Sequence, residues 1–152
     1  MLHTDAIRSL FLDPRATYPI TDAAALLGMG WRDMRAWLES GELEGVDTDG
    51  GIVLPWGELV SFAMDFWSQE SVEEALGDDV AAVIPELVRL INLEVRLPRF
   101  EVAALERVAA REGKTVNALL ARELLDFASA HVTWLAGEIP GFAEALAWPE
   151  TA

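Results

Sequence analysis

The chain has 152 residues, 52% of them hydrophobic and six of them Trp, enough for one domain or two small ones with real cores and too apolar for a disordered tail. No apolar run approaches the roughly 18–20 residues of a membrane span. Zero cysteines exclude disulfides and thiolate metal sites and fit a reducing compartment. The formal charge of -15 opposes contact with a polyanion unless positive charge is concentrated locally. It is concentrated: residues 1–91 hold 5 basic against 17 acidic side chains, residues 92–126 hold 6 against 6, and residues 127–152 hold none against 3. The opening stretch MLHTDAIRSLF lacks the basic start and cleavage site of a signal peptide, so a cytoplasmic location is expected. His3 and His131 stand far apart and form no metal-ligand pair, so no metal or cofactor is expected.

In chain order, residues 1–17 read as a lead-in helix, with Ile7, Leu10 and Phe11 at helical spacing and Asp13-Pro14 as its stop. Thr21 then reads as the cap of a helix that contains Ala24 and Leu27 and ends at Gly28. A second helix, Trp31 to Glu39, turns Met34, Trp37 and Leu38 inward; Gly41 stops it and Leu43 packs back. Two short helices at this separation make a helix-turn-helix. Glu44 to Leu54 reads as a hairpin around Asp49-Gly50, and Pro55 starts a third helix carrying Leu59, Val60 and Phe62.

Residues 18–63, within a domain expected over 18–64, resemble the winged helix-turn-helix of excisionases and MerR-like regulators. The resemblance is carried by Ala23-Ala24, Leu26-Leu27-Gly28, Glu39 through Leu43, Leu54-Pro55 and Glu58-Leu59. It implies that the second helix enters the major groove of double-stranded DNA with Trp31, Arg32, Arg35 and Ala36 toward the bases. The wing departs from the family pattern, because Asp47 and Asp49 occupy it and no Lys or Arg does. Tyr18 to Ala63 hold 2 Arg against 8 carboxylates, so packing or a protein partner is the competing use of this module.

Residues 65–91 read as a helical connector. Ser71 with Glu74 has the spacing of a capping box, and Asp78 or Asp79 is placed to cap another helix, broken near Pro85. The acid run Glu70, Glu73, Glu74, Asp78, Asp79 reads as a solvated face, with a basic partner as the alternative. Leu87 to Ile91 is placed to extend the next strand backwards.

That strand is the most informative stretch. Leu93, Val95 and Leu97 alternate with Asn92, Glu94 and Arg96, the period of a strand with one buried face, and Pro98 ends it. The period then becomes helical through Val102, Leu105, Val108 and Ala109, until Gly113 closes the helix. Thr115 caps a second helix, with Leu119, Leu120, Leu124, Phe127 and Ala128 on one stripe. One short strand and two amphipathic helices cannot bury their own apolar faces, so a second copy is expected.

Residues 92–126, within a domain expected over 92–130, resemble the ribbon-helix-helix family of DNA-binding repressors and antitoxins. The resemblance rests on Val95-Arg96-Leu97-Pro98, Ala104-Leu105, Val108-Ala109 and Gly113-Lys114-Thr115 followed by Leu119. In that family two protomers pair their strands into an antiparallel ribbon that lies in the major groove. The resemblance implies a homodimer core of Leu93, Val95, Leu97, Leu105, Val108, Leu119, Leu120 and Leu124. Asn92, Glu94 and Arg96 would face the bases, and Lys114, Thr115 and Val116 would hold a phosphate. Two departures stand out: Glu94 is a carboxylate suited only to a cytosine amine, and Ala118 replaces the capping-box Glu.

The second helix is expected to run on through Trp134-Leu135 to Gly137, and Pro140-Gly141 leads into a short amphipathic piece. Trp134, Phe142, Leu146 and Trp148 make residues 131–152 a candidate docking tail. In antitoxins of the family such tails cover the toxin; folding back on its own dimer is the alternative. The expected fold is therefore mainly α, a winged helix-turn-helix with a small hairpin followed by a ribbon-helix-helix in an intertwined dimer. Catalytic patterns (GxSxG, P-loop, HExxH, a Cys nucleophile) are missing, which argues against an enzyme. Two function classes remain: a sequence-specific transcriptional regulator, the antitoxin that represses its own operon, or an acidic homodimeric adaptor that binds a protein without binding DNA.

Overall fold

The computed structural model describes residues 3–150 and is mainly helical, with a three-stranded antiparallel sheet. The chain divides into two compact units: one runs to Leu90 and resumes from Ala147, and the other is Ile91–Leu146.

In chain order the first unit contains α1 (Thr4–Leu12), β1 (Thr17–Pro19), α2 (Ile20–Leu27), α3 (Trp31–Ser40), β2 (Val46–Thr48) and β3 (Gly51–Pro55). It continues with α4 (Trp56–Ala63), α5 (Gln69–Leu76), a 3-10 turn over Gly77–Asp79 and α6 (Val80–Val83). The apolar stripe of α1 (Ile7, Leu10, Phe11) is buried, and the helix packs on α5, whose Val72 and Leu76 are buried in turn. Leu10, Leu54, Leu59 and Val60 are wholly inaccessible in the same core, and burial of each such side chain contributes about 1.5–3 kcal/mol. Gly28, at φ 68°, ends α2 in a Schellman turn, with the Gly28 amide donating to Ala25 O (3.2 Å) and the Met29 amide to Ala24 O (3.0 Å). The hairpin turns at Asp49-Gly50 and sets Asp47 opposite Ile52.

Several local expectations are corrected here. The residues before α2 form β1, which pairs with β3 (Tyr18 opposite Leu54), and α2 starts at Ile20 behind Pro19, so Thr21 is inside the helix. Ser68, three residues earlier than expected, caps α5: its hydroxyl oxygen accepts the Ser71 amide. Asp79 makes no side-chain cap; it pairs instead with Arg8 at 2.8 Å, while Arg8 also donates to Ala75 O and Leu76 O. Leu87 to Leu90 is not extended ribbon. A turn from Pro85 and two side chains of α5 hold it, Gln69 donating to Val88 O (2.6 Å) and Glu73 accepting from the Leu90 amide (2.9 Å). Trp148 is not a free docking residue: its ring stacks on Phe11, 6.3 Å between centroids.

The second unit is built on α7 (Arg99–Glu112), α8 (Val116–Ala130) and α9 (Val132–Glu138), with α10 (Phe142–Ala147) following. The expected continuous second helix is broken at His131, whose backbone leaves helical geometry (φ -111°, ψ 13°). The His131 imidazole Nδ1 lies 2.9 Å from Phe127 O. Residues 92–97, expected as a strand, are in neither helix nor strand in the single chain. A strand is defined by its ladder, and all three strands of the described residues belong to the other unit.

Candidate nucleic-acid interface

The candidate site is the Ile91–Pro98 segment together with the α7–α8 junction. The apolar members of the alternation lie open to solvent: Leu93 is 78% exposed, Val95 57% and Leu97 41%. Asn92, Glu94 and Arg96, the expected base-facing residues, are exposed as well. Pro98 precedes α7 with φ -57°, compatible with its ring, and turns an extended backbone into a helix.

At the far end of α7, Gly113 adopts φ 67°. Its amide donates to Ala110 O (3.2 Å) and that of Lys114 to Ala109 O (2.8 Å), a second Schellman turn. Three residues separate the end of α7 from the start of α8, and the Thr115 hydroxyl oxygen accepts the Ala118 amide at 3.0 Å. With Ala118 in place of a Glu the cap is one-sided, as the sequence departure implies. Lys114 and Thr115 are exposed and Val116 is half-buried at the start of a 15-residue helix, where the helix dipole favours an anion. Thr115→Ala is expected to lower stability by about 1 kcal/mol, the usual value of an N-cap. Urea denaturation should show a lower midpoint with an unchanged slope.

The expected dimer-core residues are only partly covered. Leu119 is buried at 4% exposure with Ala109, Leu105 and Leu120 are half-buried, and Leu97, Val108 and Leu124 remain exposed. Between α7 and α8, Leu97, Phe100, Leu105, Val108, Leu119 and Leu120 line an apolar groove of about 530 Å³. Of the expected partner-facing residues, Trp134 is 65% exposed, whereas Phe142 and Leu146 are half-buried.

Cations missed by the motif reading also matter. Arg99, Arg107 and Arg111 are exposed, and with Arg96 and Lys114 they carry no ion pair among the described residues. Arg122 differs, bridging Glu112 at 3.3 Å and Glu123 at 3.8 Å. The only sequence signal for these arginines is the local excess of positive charge; no spacing separates them from ordinary surface residues.

In the first unit the α3 candidates are exposed but compromised. Arg35 pairs with Glu39 at 3.5 Å, and the Arg32 guanidinium sits 5.4 Å from the Trp31 ring centroid. Asp47 and Asp49 on the hairpin are exposed, so the electrostatics expected of this module from its composition persist at its surface. Comparison with protein-family profiles, curated proteins and solved structures yields no match to this chain.

Proposed function

We propose that the chain is a sequence-specific DNA-binding regulator acting as a homodimer, the antitoxin of a toxin–antitoxin pair that represses its own operon in the cytoplasm. The observation that carries this reading is the open alternation of Leu93, Val95 and Leu97, joined to a helix pair on which Arg99, Arg107 and Arg111 carry no ion pair among the described residues. Exposed apolar side chains at every second position are costly unless another surface covers them. A second copy of the segment covers them and supplies the missing ladder. The polar set, Asn92, Glu94 and Arg96, then lies on the opposite face of a two-stranded ribbon, a shape the major groove admits.

Arg96 reads bases in this account, and Lys114, Thr115 and Val116 hold a phosphate. Arg96→Ala is expected to weaken operator binding by about 1–3 kcal/mol per half-site and to relax sequence preference. Lys114→Ala should weaken operator and non-specific binding alike, since phosphates carry no sequence. Binding isotherms on the chain's own upstream region and on a scrambled duplex check both; intact affinity and preference in Arg96→Ala contradict the assignment.

The adaptor reading is favoured by the charge of -15 and by the Arg35–Glu39 pair on α3. A salt titration separates the two. A regulator loses affinity steeply as salt rises, whereas an adaptor shows no specific binding at any salt. Co-purification with the neighbouring gene product tests the toxin.

A further inference from the structure

On α7, Arg107 and Arg111 stand four residues apart, so one turn of helix sets them side by side on one face, with Cβ atoms about 5–6 Å apart. Both are exposed, and neither makes a hydrogen bond or an ion pair among the described residues. Acids are not scarce. The chain holds 26 of them against 11 basic side chains, and Arg8, Arg15, Arg35 and Arg122 each pair with one.

The carboxylates of α7 itself stand elsewhere. Glu101, Glu106 and Glu112 lie about 100–120° around the helix from the line through the two arginines. The helical neighbours of Arg107 are Ala103, Ala104 and Ala110, all exposed, so the nearest charge along this face is the like charge of Arg111. Like charges at this spacing oppose the helix slightly. The helix dipole offsets that at Arg111, in the last turn, but its effect does not extend to Arg107. An anion from outside the chain offsets it at both.

The position of the pair indicates which anion. α7 begins directly after the Asn92–Leu97 segment, and Arg111 sits at its far end, beside the Gly113–Thr115 turn into α8. In the proposed regulator the ribbon fills the major groove, so helices that follow it meet the groove's walls, which are sugar and phosphate. We propose that Arg107 and Arg111 hold DNA phosphates beyond the one assigned to Lys114, Thr115 and Val116, and so clamp the backbone along α7. This rests on the reading of the chain as a DNA-binding regulator. Guanidinium forks match phosphate oxygens, and such contacts carry no sequence information.

Salt titrations of the full chain on its own upstream duplex and on a scrambled duplex of equal length test it. Arg107→Gln/Arg111→Gln removes both charges at little cost in helix propensity, so its melting curve should match the parent's. The slope of log affinity against log salt should become shallower by about 2 in the double variant and by about 1 in Arg107→Gln. The ratio of operator to scrambled affinity should not change. Arg15→Gln, the same charge change on an arginine paired with Asp22 in the first unit, should keep the parent slope. A parent-like slope in the double variant, an equally shallow slope in Arg15→Gln, or lost operator preference in the double variant overturns the assignment and leaves the regulator reading standing. Failure of the parent to bind either duplex in a salt-dependent way overturns both.

Discussion

Val95→Glu is expected to dissociate the proposed homodimer. Val95 is more than half exposed in the single chain, so the substitution leaves the fold of one protomer without a buried charge. In a paired ribbon the same side chain faces the shared core, and the variant places two carboxylates there without partners. Each buried unpaired ion costs several kcal/mol, and about 4 kcal/mol raises the dissociation constant roughly a thousandfold. Sedimentation equilibrium at micromolar concentration should move from twice the 16.7 kDa chain mass toward the chain mass itself. Glu94→Gln, one residue away on the polar face, should leave the dimer intact. Equal sedimentation of the parent and Val95→Glu would remove this segment from the interface.

Leu59→Ala is expected to destabilise the first unit by about 2–5 kcal/mol, the range for truncating a buried Leu where the surroundings relax only partly. Leu59 is wholly inaccessible on α4, in the core that also holds Leu10, Leu54 and Val60. For a unit of this size each kcal/mol lowers the melting temperature by roughly 4–8 °C, so a fall of about 8–40 °C should appear in thermal circular dichroism. A change of only a degree or two would contradict the packing of α4 against α1 and the sheet.

The helices legible in the sequence are those whose ends are set by local chemistry. Gly113 and Thr115 sit two residues apart, and a left-handed C-terminal residue followed by a hydroxyl cap is a signal contained in a few neighbours. The α1 stripe and the Asp49-Gly50 turn are legible for the same reason. Long-range partners decided the misreadings. Three residues of β1 have no usable period and exist because Tyr18 finds Leu54 across the sheet. Asp79 is drawn from its cap by Arg8, 71 residues away, and Trp148 finds Phe11 at the opposite end of the chain. Between Ser68 and Ser71 the sequence offers two hydroxyls at the start of one helix, and only the direction of the Ser71 amide separates cap from capped.

The candidate interface was legible in a different way. Alternation at Leu93, Val95 and Leu97 marks which side chains share a face, but a ladder needs a mate, and periodicity in one chain cannot supply it. Arg96 and Lys114 stand out because they flank turns of recognisable chemistry; Arg99, Arg107 and Arg111 do not.

Amide hydrogen exchange across Asn92–Leu97, followed as a function of protein concentration, tests the pairing of two copies most directly. Slow exchange is expected for the amides that point across an antiparallel pair, with protection that grows as concentration rises through the dimer range. Rapid exchange of the whole segment at every concentration, or protection independent of concentration, would mean that no second chain completes this edge.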